Sequence, residues 1–166
     1  SLRQVPGAFD RTPHRVAGRS VTLDQIEQSV LPAFGDPRVY FALGRGAVGG
    51  GRLRSEAFAA DALDRQLSEV AAECASRPQC LEVDVPGERL RVSPIFSWRE
   101  RDFVARYAAE APDTLRGRSA IERAVVGFVS PRLLDTERQL VGRNTFRVEF
   151  QPFDWTLNDL AIRPGR

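Results

Sequence analysis

An α+β fold, a small mixed or antiparallel sheet with one hairpin packed against several helices, follows from three features of the sequence. Two short alternating segments flank Pro86-Gly87, and apolar residues recur at helical spacing between Leu63 and Cys74. Strands and helices alternate too irregularly for a doubly wound parallel sheet. With 166 residues and 42% hydrophobic content the chain fits one domain. Its expected limits are residues 22–160, between an irregular amino-terminal arm, 1–21, and a tail, 161–166.

The arm contains Pro6, Gly7, Pro13 and Gly18 and no sustained apolar pattern. Thr22 and Gln25 form a capping box, and Leu23, Ile26 and Val30 then share a helical face until Pro32 stops the helix. After Gly35-Asp36-Pro37, the β-prone run Val39 to Leu43 predicts a buried strand, followed by a glycine-rich stretch from Gly44 to Gly51. Leu63, Leu67, Val70 and Cys74 predict the core-facing stripe of a helix over about 56–75. Leu81, Val83 and Val85 alternate with Glu82 and Asp84, and Leu90 and Val92 with Arg89 and Arg91. This predicts a hairpin whose acids and arginines pair on its wet face. Further helices are expected over 100–109 and 119–129, with another opened by Ser130-Pro131. Phe146, Val148 and Phe150 predict a last strand.

No apolar run approaches the roughly 20 residues of a membrane span, and two cysteines are too few for a disulfide-built miniature fold. The chain lacks Met altogether, which suggests a processed product or an excerpt of a longer one. It also lacks Lys, so every one of its 24 basic side chains is Arg. The formal net charge is only +2, and acids lie among the arginines throughout, which argues against nucleic acid as a partner.

Gly44-Arg45-Gly46-Ala47-Val48-Gly49 matches the dinucleotide-binding pattern literally. No helix follows the third glycine directly, and the acid-bearing strand comes too late, so a glycine-rich turn is the simpler reading. The only histidine, His14, lies in the arm, where solvation is the ordinary fate of such a side chain. Cys74 and Cys80 lack redox or zinc spacing. Either Cys74 fills the apolar stripe, or it bridges Cys80 in an oxidising compartment; both readings stand, and the second suits an extracytoplasmic, periplasmic location. No metal set and no cofactor is expected.

Leu23-Asp24-Gln25-Ile26-Glu27, Asp36 to Leu43, Leu53-Arg54 and Asp64-Arg65-Gln66-Leu67 occur in an order and spacing that resemble the bacterial and plant family called domain of unknown function 547. Ile95 to Phe103 and Phe153 to Asn158 are similar to motifs of its bacterial members. The resemblance runs unevenly from about Val21 to Asn158. It implies a histidine and two cysteines, suited to a thiol nucleophile or a metal, where this chain has Tyr40, Arg45 and Gly50. Neither glycine nor a guanidinium is a nucleophile at neutral pH, so the implied site is degenerate.

These readings lead to a non-catalytic accessory or binding subunit of a larger extracytoplasmic or membrane-associated assembly. Its partners would be protein subunits, with contact to a membrane surface as a further option. The expected contact loop comprises Gly44, Arg45, Gly46, Gly49, Gly50, Gly51, Arg52 and Arg54, whose arginines would grip acidic surfaces or headgroups. An alternative is a hydrolase or transferase using Tyr40, Asp102 or Asp154. Trp98, Asp102, Asp154, Trp155 and Asn158, within the family-like motifs, have a structural role as their simpler explanation.

Overall fold

The computed structural model describes residues 1–159; the last residue of the expected domain and the expected tail lie outside them. The fold is α+β. The arm is more ordered than its composition suggests. A capped 3-10 turn, Leu2–Gln4, precedes a hairpin of β1 (His14–Val16) and β2 (Arg19–Val21). Ala17 and Gly18 both take positive φ, the backbone twist that a tight two-residue hairpin turn requires.

The Thr22–Gln25 box forms as read: Gln25 N–H donates to Thr22 Oγ1 at 3.1 Å, and Thr22 N–H to Gln25 Oε1 at 2.9 Å. It opens α1 (Leu23–Gln25), which widens into a π turn (Ile26–Val30) and tightens into a 3-10 turn (Leu31–Phe34). The π turn carries Glu27 and Gln28.

Val39–Ala42 is a helix, α2, and not the expected strand. Asp36 Oδ1 accepts the Arg38 N–H at 3.1 Å, and Pro37 supplies a preset φ at the start of the turn. Tyr40 N–H then bonds the Pro37 carbonyl and Phe41 N–H the Arg38 carbonyl. An Asp-Pro start outweighs β-propensity in so short a run. The next helix, α3 (Leu63–Ala75), begins seven residues later than expected. Buried Gln66 accounts for this: it donates to the Ala57 carbonyl at 3.0 Å and accepts the Ala59 N–H at 2.9 Å, drawing on backbone groups that an earlier start would use. Leu67, Val70 and Cys74 are buried as expected, whereas Leu63 is 42% exposed.

Strands β3 (Leu81–Asp84) and β4 (Arg89–Val92) form the predicted hairpin, and β5 (Arg147–Phe150) joins the other edge of β4 in parallel. The sheet is therefore mixed, in the order β3-β4-β5. Arg91 pairs with Glu82 at 3.1 Å and Glu149 at 3.3 Å, while Asp84 instead accepts the Gly87 N–H in the turn. Between β4 and β5 the chain forms α4 (Ile95–Trp98), α5 (Glu100–Tyr107), α6 (Ala120–Val129) and α7 (Asp135–Arg143). Ser130-Pro131 yields only a 3-10 turn.

The core gathers on α6. Phe41, Phe96, Phe103 and Phe128 pack with ring centroids 4.6–5.9 Å apart, offset or edge-on as their quadrupoles favour. Gly127 lets α6 approach the end of α5 so closely that a Cβ there would overlap the Tyr107 carbonyl.

Candidate functional site

Tyr40 and Arg45 meet beside the π turn, but as structural parts, while Gly50 packs against the Gly44 carbonyl. The Arg45 side chain is 6% exposed and pairs with Glu27, which also takes Arg99 at 2.8 Å. Arg45 Nη1 donates to the Tyr40 carbonyl at 3.2 Å, and the Arg99 guanidinium lies 5.0 Å from the centre of the Tyr40 ring. Burial lowers the Arg45 pKa from its ordinary value and Glu27 offsets part of the effect. The guanidinium stays charged and committed. Tyr40 donates its hydroxyl to Asp102 Oδ2 at 2.6 Å. Burial, and then this hydrogen bond, raise the phenol's pKa above its ordinary value, the opposite of what a tyrosine base or nucleophile needs.

The expected contact loop is likewise turned to internal use. Arg45 points inward, Arg52 pairs with Glu73 at 3.1 Å, and Arg54 pairs with Glu69 at 2.8 Å. No cationic patch of three free arginines exists here. A Cβ on Gly51 would overlap the Phe41 carbonyl, and one on Gly50 would come within 2.6 Å of the Gly44 carbonyl, so these glycines permit close backbone packing. Gly44 borders the same contact. Gly46 and Gly49 belong to a ladder with residues 154–158: Asn158 N–H donates to the Gly46 carbonyl, Val48 N–H to the Thr156 carbonyl, and Gly49 N–H to the Asp154 carbonyl.

Asp102 and Asp154 are not brought together. Asp102 and Tyr40 line one depression beside Pro37, and Asp154 and Asn158 another beside Arg77. Trp98 and Trp155 stack at 6.4 Å and line a third opening, at Arg45 and Arg99. His14 is exposed in β1. Cys74 and Cys80 are joined in a disulfide with Cα atoms 5.2 Å apart, so Cys74 both fills the apolar stripe and staples α3 to β3. Among the described residues no three His, Cys, Asp or Glu side chains converge as a metal site, and no helix is long and apolar enough to cross a membrane.

One feature escaped the sequence reading. An open apolar groove of about 440 Å³ lies between α2 and α3, lined by Phe34, Val39, Phe58, Leu63 and Leu67. Phe34 is 71% exposed. Arg38 braces its rim, forked onto Asp36 at 2.6–3.1 Å and bonded to Asp64 at 2.7 Å and Ser68 at 2.8 Å. Phe34 and Phe58, both outside the regular helices, were its only signal in the sequence. Comparison with known proteins finds no match to a family model, a curated protein or a solved structure.

Proposed function

We propose that this chain is a non-catalytic binding module, an accessory subunit of a larger assembly, that seats an apolar segment of a partner protein between α2 and α3. The open apolar groove carries this reading, since a lone soluble domain gains nothing by leaving Phe34, Phe58 and Leu63 together in water. The groove's charged lining residues are Asp36, Asp64 and Arg38, two carboxylates against one guanidinium. The complementary segment therefore carries Arg or Lys beside its apolar residues. The engagement of Arg45 with Glu27, where the family resemblance implies a thiol, supports a binding role over a chemical one. The Cys74–Cys80 bond supports work outside the reducing cytoplasm.

A photoreactive phenylalanine analogue at position 34, introduced in the native cell, tests the reading. It should crosslink to one partner through a peptide that has apolar residues next to Arg or Lys. The synthetic peptide should bind the purified protein, and Leu63→Glu should weaken that binding at least about tenfold. Crosslinking to second copies alone, or a peptide indifferent to Leu63→Glu, overturns the proposal.

A further inference from the structure

We propose that the cleft between Trp98, Trp155 and the Arg45–Glu27–Arg99 group binds a neutral saccharide of one or two rings. The cleft measures about 320 Å³ and is independent of the apolar groove. That is the small end of the range of about 300–1,000 Å³ occupied by ligand sites, which suits so small a molecule.

Its aromatic side is a cluster in which Phe153 lies 5.1 Å from Trp98 and 4.6 Å from Trp155, while the two indoles stand only 24° from parallel. Trp98 is 45% exposed. The Arg3 guanidinium lies 5.1 Å from the centre of the Trp155 ring and covers part of it, which leaves Trp98 as the main apolar surface for the C–H face of a sugar. The polar side is matched to hydroxyls, which donate and accept at once. Both guanidinium groups bond the same Glu27 oxygen, Oε1, and leave Oε2 without a partner among the described residues. The Asp24 carboxylate, at the same cleft, enters no ion pair among the described residues, and Gln28, whose Oε1 already accepts from Arg99 at 2.6 Å, adds its amide N–H groups alongside Arg3.

Charge decides the class of ligand. Arg3, Arg45 and Arg99 face Asp24 and Glu27, so a simple anion meets two carboxylates and a simple cation three guanidinium groups. A neutral polyol meets neither penalty.

The test uses the whole chain with glucose, N-acetylglucosamine, maltose and cellobiose as probes, and glucuronate, citrate and choline as charged controls. Tryptophan fluorescence and calorimetry read the binding. At least one neutral sugar should bind saturably with a millimolar Kd, at least about tenfold tighter than any charged control. Trp98→Ala and Asp24→Asn should each weaken it by about tenfold or more. Both side chains are partly open to solvent, and melting curves establish that each variant is folded. No saturation by any neutral sugar up to about 50 mM, preference for a charged control, or undiminished affinity in both variants overturns the proposal.

Discussion

Arg45 joins two costs in one residue. Its φ of 42° lies in the left-handed region, disfavoured for any side chain with a Cβ, and its guanidinium is buried. The Arg–Glu–Arg arrangement offsets both: removing Glu27 would strand two buried guanidinium groups, whereas removing Arg45 leaves Glu27 paired with Arg99 but takes a donor from it and from the Tyr40 carbonyl. Arg45→Ala is therefore expected to cost about 1.5–3 kcal/mol in denaturant unfolding, against less than about 1 kcal/mol for Arg52→Ala, whose side chain is 61% exposed. Equal losses would show that Arg45 is a surface residue after all. Nothing in the sequence distinguished these arginines. Charge type and glycine-rich surroundings were legible, but the pairing of Glu27 with Arg45 depends on the π turn, and Glu27 to Arg99 is a contact that only the tertiary fold creates.

At the scale of the elements, what repeats locally was readable. The Thr22 cap, the β3–β4 hairpin and the buried face of α3 from Leu67 onward follow from nearest-neighbour chemistry. Two misreadings arose where side chains captured backbone groups: Asp36 turning Val39–Ala42 into a helix, and Gln66 holding residues 57–59 out of one. The apolar groove was hidden for a related reason. Leu63 fits the helical stripe by spacing, yet lies at the helix's first turn, beyond the layer that covers Leu67. The contact of α6 with α5 sets a sharper test. Gly127→Ala, ordinarily favourable in a helix, should here destabilise by about 1–3 kcal/mol because its methyl meets the Tyr107 carbonyl. Gly142→Ala, with open space around it in α7, should leave stability unchanged or raise it. Thermal melts of the two variants compare them directly, and a stable Gly127→Ala protein would mean that the helices are less closely apposed.

For the molecule as a whole, Arg38 is the tie between the segment before α2 and the body of α3. Burial acts to raise the Asp36 pKa, but hydrogen bonds from Arg38 and its charge outweigh it and hold the carboxyl below its ordinary value. A carboxyl depressed in the folded state favours folding above its unfolded pKa, and the benefit disappears as pH falls through the folded value. Urea stability should thus hold from neutrality to about pH 4 and fall below it. Asp36→Asn should lower stability at pH 7 by about 1–2 kcal/mol and shallow the acid limb. A variant with the parent's acid limb would place the acid-sensitive interaction elsewhere.

The parallel pairing of β5 with β4 also fixes an order of events during synthesis. Leu90 and Val92 are fully buried in the finished sheet, yet one edge of their strand waits for residues 147–150, which the ribosome releases only after all of α4–α7. A nascent chain therefore carries an unfinished sheet through most of its emergence, and a premature stop before Arg147 leaves that edge permanently bare and inclined to self-association.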